Sequence, residues 1–106
     1  PNFIGSQVIV AESLEIVSNN VQDYSNTTNN KIILIENADP GFDWIFSHNI
    51  SGLITMYGGG NSHMAIRAAE FQLPAAIGIG LNEYKKLSMS SVIELDCTKR
   101  TINIIR

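Results

Sequence analysis

The sequence predicts an α/β domain with a central sheet and flanking helices. Short apolar, β-branched runs typical of strands alternate along the chain with segments rich in helix formers. The clearest strand is the run 31–35, whose continuous apolar character is typical of a strand covered on both faces. The clearest helix is 64–72, which Pro74 prevents from continuing. At 106 residues, the chain is expected to form one domain with one core.

The first third of the chain supplies the next predicted elements. Residues 7–11 indicate a strand, and residues 14–17 indicate a turn or a short second strand. The polar stretch 23–30 predicts an exposed loop with little to bury. Asp39 and Pro40 then predict a helix start, because Asp can cap free backbone N–H groups and Pro at the first helical position loses no hydrogen bond.

The rest of the chain continues the alternation of strands and helices. Strand character returns at 51–57, directly before a glycine-rich loop. Further strands are expected at 75–78, 92–95 and 101–105, with a helical turn at 83–87. This order places a strand, a glycine loop and a helix in succession at the centre of the chain.

Composition excludes several classes of protein. Only 16% of the residues are charged, against about 25% in an average soluble protein. The net charge is −3 and the first thirty residues contain no Lys or Arg, whereas a nucleic-acid-binding protein needs a basic surface. No apolar run approaches the roughly 18 residues of a membrane span. We therefore expect a soluble, cytoplasmic protein that binds neither nucleic acid nor membrane.

The start of the chain bears on its domain organisation. The sequence begins with Pro1 rather than Met and carries no secretory leader pattern. We therefore expect residues 1–106 to be a single domain cut from a longer polypeptide. Its function is then expected to be partial, with substrates held by other parts of that polypeptide.

Three consecutive glycines, Gly58–Gly60, follow the predicted central strand. Such a loop lets backbone N–H groups approach an anion closely. Asn61 or Ser62 can cap the helix that follows, whose N-terminus carries partial positive charge suited to a phosphate. The loop lacks the Lys-Ser/Thr ending of a P-loop and the G-x-G-x-x-G spacing of a dinucleotide fold. Taken alone, it indicates a structural turn as readily as a phosphate site.

His63 stands in the first turn of that predicted helix, where a bound anion would lie. The helix dipole disfavours the imidazolium form there and keeps a neutral nitrogen available as a nucleophile. It would also stabilise a dianionic phosphoryl group after transfer. Because no partner nucleophile is evident nearby in sequence, the pattern favours a histidine that is itself phosphorylated over one that acts as a base.

Residues 55–66 read TMYGGGNSHMAI, and residues 73–78 read LPAAIG. With Glu70 between them, they resemble the phosphohistidine domain of phosphoenolpyruvate-utilising enzymes. That family includes pyruvate phosphate dikinase, phosphoenolpyruvate synthase and enzyme I of the sugar phosphotransferase system, and typically reads T-x-x-G-G-x-T-S-H-A-A-I-x-A-R-E-x-G-I-P-A-x-x-G. The resemblance is strong over residues 52–80.

The resemblance implies a swivelling β/β/α domain. His63 would carry a phosphoryl group on Nε2 between two distant active sites, accepting it from ATP or phosphoenolpyruvate and passing it to pyruvate or another small acceptor. The residues that match the family's cradle for this group are Thr55, Gly58, Gly59 and Ser62. Gly60 and Asn61 complete the predicted phosphoryl-binding loop.

The resemblance also implies partners. ATP and Mg²⁺ would be bound by an ATP-grasp domain of the same polypeptide, and the acceptor by a further domain, so no cofactor is expected within residues 1–106. The variant around His63 resembles glutamine kinase and antibiotic phosphotransferases, in which the histidine domain comes last in the chain. A noncatalytic docking or anion-binding module that keeps the fold is the alternative function.

Three departures from the family pattern bear on the site: Asn61 stands in place of Thr, Met64 in place of a small residue and Ala69 in place of Arg. Arg67 lies two residues before the position of the missing arginine and four residues after His63, so both side chains are expected on one helix face. We predict that Arg67 contacts the phosphoryl group or the incoming donor. A surface pair between Arg67 and Glu70 is the competing interpretation.

Other candidate residues are assigned structural roles. His48 has no partner at ligand spacing and is predicted to end a helix, and no metal site is expected. Cys97, the only cysteine, excludes an intramolecular disulfide and is predicted to be a packing residue. Asp39 and Asp43 are predicted to complement a helix dipole rather than to form a catalytic pair. The residues expected in the core by default are Phe42, Trp44 and Phe46.

Overall fold

Seven strands form one sheet in the computed structural model, which describes residues 1–24, 26–37 and 39–106. The strands are β1 (Asn2–Ile4), β2 (Val8–Glu15), β3 (Ile32–Ile35), β4 (Gly52–Thr55), β5 (Ala75–Ile77), β6 (Val92–Asp96) and β7 (Thr101–Ile104). Their order across the sheet is β1-β5-β4-β3-β2-β6-β7. Strands β2 to β5 run parallel, whereas β1, β6 and β7 pair antiparallel with their neighbours.

Two α-helices and two 3-10 helices connect the strands in the described part of the chain. They are the first 3-10 helix (Val21–Tyr24), the second 3-10 helix (Pro40–Ser47), α1 (His63–Glu70) and α2 (Leu81–Ser88). The second 3-10 helix joins β3 to β4, and α1 joins β4 to β5. The predicted α/β fold with a central sheet is confirmed. None of the described helices has the length and apolar character that crossing a membrane requires.

The parallel strands are buried on both faces. In β3, Ile33 and Ile35 pack with the second 3-10 helix and α1, whereas Ile32 and Leu34 pack on the opposite face with α2 and β6. All four side chains are at most 1% exposed. Burial of an aliphatic side chain contributes about 1.5–3 kcal/mol. The continuous apolar run predicted at 31–35 is therefore explained by a sheet that is covered on both sides.

Two features of the strands differ from the prediction. Residues 8–15 form one strand instead of a strand at 7–11 followed by a turn or a short second strand at 14–17, because β2 pairs with β6 through residues 8–12 and with β3 through residues 13–15. Strand β1 was not predicted. Its three residues have little strand signal of their own and are held by antiparallel pairing with β5.

The predicted helix start at Asp39 and Pro40 is confirmed, but the helix is of the 3-10 form. Asp39 caps it by accepting a hydrogen bond from the Gly41 N–H at 2.8 Å. A 3-10 helix rises about 2.0 Å per residue against about 1.5 Å in an α-helix, so eight residues reach roughly 4 Å farther along the sheet. Ile45 is fully buried. The aromatic residues that pack around the edge of the same core are Phe42, Trp44 and Phe46.

One described residue of the polar stretch 23–30, for which an exposed loop is predicted, is buried. Thr28 is 1% exposed, and its hydroxyl is hydrogen-bonded to Nδ1 of His48. A buried hydroxyl needs such a partner, because losing its bonds to water without replacement is costly. His48 ends the second 3-10 helix, as predicted. Ser25, which the loop prediction included, lies outside the described residues.

Candidate active site

The candidate site lies at the edge of the sheet where the parallel strands β3 and β4 end. After β3 the chain enters the second 3-10 helix, and after β4 it passes through the glycine loop into α1. The carboxyl ends of parallel strands meet at one edge, which is the usual position of ligand sites in α/β folds. Both helices pack on the same face of the sheet, where Ile45 and Met64 share one core. Their first turns therefore come close together.

His63 is the first residue of α1. Ser62 caps this helix, since its Oγ accepts a hydrogen bond from the Ala65 N–H at 3.4 Å. The Ser62 N–H in turn donates to the Gly59 carbonyl at 3.0 Å and fixes the end of the loop. The first amides of an α-helix have no acceptor within the helix, so its positive end is directed towards the position of His63. The His63 side chain is 37% exposed and can be reached from solvent.

Asp43 is the direct partner of His63. Its Oδ1 lies 2.6 Å from His63 Nε2, and its side chain is 38% exposed. At this distance the Nε2–H donates a charge-assisted hydrogen bond to the carboxylate. The prediction that Asp43 lies in a first helical turn is confirmed, but its contact with His63 was missed. The two residues are 20 positions apart on different helices, so no local sequence pattern signals their contact.

The glycine loop is held by backbone contacts with the turn that follows β5. Gly58 has a φ of 119° and Gly78 a φ of 77°, which residues with a side chain rarely adopt. A Cβ on Gly78 would lie 2.1 Å from the Gly58 carbonyl oxygen. Thr55 is fully buried; its hydroxyl donates to the Tyr57 carbonyl at 2.7 Å and accepts from the Gly78 N–H at 3.0 Å. Thr55 thereby fixes the two turns against each other.

The tip of the glycine loop is exposed. A Cβ on Gly59 would meet no atom within 4 Å, and one on Gly60 would lie 3.3 Å from Oδ1 of Asn2. Gly59 therefore borders open space on the side of the loop away from the core. Phosphoryl contacts stay a prediction for the loop and cap residues Thr55, Gly58, Gly59, Gly60, Asn61 and Ser62.

Arg67 follows His63 by four residues on α1, and its guanidinium has three neighbours. It donates to Glu70 Oε1 at 3.3 Å and lies 4.9 Å from the ring centre of Phe71 and 5.7 Å from that of Phe46. These contacts combine an ion pair with cation–π attraction. The Arg67–Glu70 pair is therefore present. Contact between Arg67 and a phosphoryl group stays a prediction.

Two further sequence predictions concern Cys97, for which a packing role is predicted, and the absence of a metal site. Cys97 is buried in the core under β5, and burial raises the pKa of its thiol. A buried thiol with a raised pKa is a poor nucleophile, which agrees with the packing role predicted for it. Within the described ranges, no three His, Cys, Asp or Glu side chains are grouped closely enough to hold a metal ion.

Comparison with known proteins identifies the family. Residues 27–100 match the family described as "PEP-utilising enzyme, mobile domain". The chain belongs to this family. The matched segment of the mobile domain includes the glycine loop, His63, Asp43 and Arg67. The family predicted from the motif around His63 is therefore confirmed.

Solved structures agree on the fold of the mobile domain. The NMR solution structure of Enzyme I (nEIt) is similar, with a TM-score of 0.63 and 20% sequence identity over 78% of this chain. The similar region is 34% of that protein, so the mobile domain corresponds to about a third of its length. At this identity the likeness establishes the fold alone. No curated protein sequence matches the chain.

Proposed function

We propose that this mobile domain is a phosphocarrier. His63 accepts a phosphoryl group from ATP or phosphoenolpyruvate and delivers it to pyruvate or another small acceptor at a second site. The observation that carries the proposal is the position of His63, a partly exposed imidazole at the first residue of a helix and beside an exposed glycine loop. The partial positive charge at the start of α1 would stabilise the phosphoryl group on the ring.

The chemistry of such a carrier is a pair of displacements at phosphorus. In the charging step, the Nε2 lone pair attacks the phosphorus atom, and the bridging oxygen of the donor leaves with the electron pair of its bond. In the discharging step, an acceptor oxygen attacks the phosphorus atom and Nε2 leaves with its electron pair. The charging step requires that the ring nitrogen be free of its proton when it forms the bond to phosphorus.

The proposal assigns the donor and acceptor sites to partner domains of the same polypeptide. ATP and Mg²⁺ would be bound by an ATP-grasp domain, and the acceptor by another domain. Apolar exposure near the site supports docking, because Tyr57 before the glycine loop and Ile66 on α1 are 49% and 52% exposed, and Phe71 at the C-terminal end of α1 is 51% exposed. Exposed large apolar side chains are a feature of surfaces that another domain covers.

Labelling with ATP tests the proposal. The full-length protein that contains this domain is incubated with ATP labelled in its β- or its γ-phosphoryl group, in separate reactions. The expected product is a phosphoprotein whose label is lost in acid and retained in alkali, as expected of a phosphorus–nitrogen bond. His63→Ala should abolish the label. His48→Ala removes the other of the two histidines and should keep it.

Two outcomes would count against a carrier. The absence of label in the wild-type protein under turnover conditions, both with ATP and with labelled phosphoenolpyruvate in a parallel reaction, would remove the proposal. Reversible phosphate binding that survives His63→Ala, with no covalent label, would indicate a noncatalytic anion-binding module instead. Because His48 is hydrogen-bonded to Thr28, thermal unfolding of the His48→Ala control is measured in parallel.

A further inference from the structure

Asp43 and a phosphoryl group compete for the same atom of His63. Asp43 Oδ1 lies 2.6 Å from Nε2, and a phosphorus atom bonded to Nε2 would carry oxygens into the space that this carboxylate occupies. Two anionic groups at that distance also repel each other. The hydrogen bond between Asp43 and His63 can therefore form only when the ring carries no phosphoryl group at Nε2.

A structural role in starting the helix does not account for Asp43. The cap of the second 3-10 helix is supplied by Asp39, which bonds the Gly41 N–H at 2.8 Å. Asp43 lies in the first turn of the same helix and directs its carboxylate across to α1. The two carboxylates therefore differ in function although they are four residues apart on one short helix.

We propose that Asp43 raises the phosphoryl-transfer potential of phosphorylated His63. Only the unphosphorylated domain makes the contact between Asp43 and His63. The free energy of this contact therefore favours transfer of the phosphoryl group away from His63 over phosphorylation of His63. Charging breaks the N–H bond at Nε2, releases that proton to solvent and forms the N–P bond while the donor oxygen leaves. Discharge reverses these changes and restores the hydrogen bond to Asp43. The inference rests on the proposed carrier function. Within that function, Asp43 sets the equilibrium between phosphorylated and unphosphorylated His63.

The size of the effect follows from the exposure of the pair. Both side chains are more than one third exposed, so water screens their attraction. The short charge-assisted hydrogen bond and the relief of repulsion act in the same direction. We expect that removing the Asp43 carboxylate raises the ratio of phosphorylated to free His63 about fivefold at equilibrium.

Chemical phosphorylation tests the inference without a nucleotide site. The full-length protein is equilibrated with phosphoramidate and ammonium at a fixed ratio, because phosphoramidate donates its phosphoryl group to histidine and releases ammonia. The amount of phosphorylated His63 is measured by ³¹P NMR, after the signal that persists in His63→Ala is subtracted. Asp43→Ala and Asp43→Asn should both raise the phosphorylated fraction. Asp39→Asn removes a neighbouring carboxylate, keeps a capping side chain and should match the wild type.

Ring ¹⁵N NMR of the unphosphorylated protein gives an independent readout. The wild type should have its ring proton on Nε2 in a hydrogen bond, and Asp43→Ala should lose that signature. An equal or lower phosphorylated fraction in both Asp43 variants, or an equal rise in Asp39→Asn, would overturn the inference. Phosphoramidate needs no donor domain, so failure of labelling by both ATP and phosphoenolpyruvate would overturn the carrier function and leave this equilibrium measurable.

Discussion

Arg67 connects α1 to a pair of stacked aromatic rings. Its guanidinium contacts Phe46 and Phe71, whose rings stack with centres 5.4 Å apart, and it pairs with Glu70. An exposed ion pair of this spacing contributes only a few tenths of a kcal/mol. The Arg67 Nε–H is buried and has no hydrogen-bond partner among the described residues. The predicted contact with a phosphoryl group on His63 is therefore assigned to the guanidinium N–H groups other than Nε.

Replacing Arg67 with Ala should lower the rate of phosphoryl transfer to His63 more than tenfold, equivalent to about 1.4 kcal/mol or more in the transition state. Single-turnover labelling of the full-length protein with ATP measures this rate. Glu70→Ala is the matched control, because it removes the ion pair and keeps the guanidinium. An unchanged rate in Arg67→Ala, or an equal loss of rate in Arg67→Ala and Glu70→Ala, would contradict a contact between Arg67 and the phosphoryl group. The surface ion pair with Glu70 would then be the role supported for Arg67.

The residues that could be predicted at this scale are those whose roles follow from neighbours in sequence. His63, its cap Ser62 and the glycine loop are contiguous, so helix-start rules and the family motif identify them. Asp43 and Thr28 could not be predicted in the same way. Asp43 reaches His63, and Thr28 reaches His48, across 20 positions each, so both contacts depend on how the elements pack.

At the scale of elements, the site is built from two turns that pack backbone against backbone. The turn after β4 carries Gly58, and the turn after β5 carries Gly78, with the Thr55 hydroxyl bonded into both. This contact sets where the glycine loop ends and therefore where α1 begins. The position of His63 thus depends on a residue of the neighbouring strand connection that is 15 positions away in the sequence.

Gly78→Ala should destabilise the domain by roughly 2–4 kcal/mol, because its Cβ would lie 2.1 Å from the Gly58 carbonyl oxygen and its φ is 77°. Gly59→Ala is the control from the same site. Its Cβ would meet no atom within 4 Å, so the free energy of unfolding should change by less than about 1 kcal/mol. Urea denaturation measures both values. Equal effects in the two variants would mean that the turns are not in contact.

The elements themselves were predictable to different degrees for a physical reason. Strand β3 is apolar at every position, and β4 is apolar except for the buried Thr55, because both faces of these strands are buried; this leaves a clear signal in the sequence. Strand β1 has three residues and is held by pairing with β5, so its signal lies in another part of the chain.

At the scale of the whole molecule, the two faces of the sheet pack against different elements. One face carries the second 3-10 helix and α1 with the candidate site, and the other packs against α2 and β6. Tyr84 ties α2 to the sheet, since its hydroxyl donates to Oε2 of Glu15 at 2.9 Å across 69 positions of sequence. Tyr84 is 2% exposed. Burial, and then the Glu15 carboxylate, raise the pKa of the Tyr84 phenol far above its ordinary value of 10.0.

This raised pKa predicts how the stability of the domain depends on alkaline pH. The unfolded chain releases the Tyr84 proton first as the pH rises above about 10, so the stabilisation is complete below that pH and falls by about 1.4 kcal/mol per pH unit above it. Tyr84→Phe loses the hydrogen bond to Glu15 and should be about 1 kcal/mol less stable than the wild type at pH 7. It cannot lose a phenol proton at any pH.

The difference in the free energy of unfolding between the wild type and Tyr84→Phe should therefore shrink above pH 10 and change sign near pH 11. Urea denaturation at pH 7, 10 and 11 measures it for both proteins. Tyr57→Phe is the matched control, because Tyr57 is 49% exposed and its variant should follow the wild type at every pH. A difference between the wild type and Tyr84→Phe that stays constant from pH 7 to 11 would show that Tyr84 ionises equally in the folded and unfolded states. The contact between Tyr84 of α2 and Glu15 of β2 would then not depend on a protonated phenol.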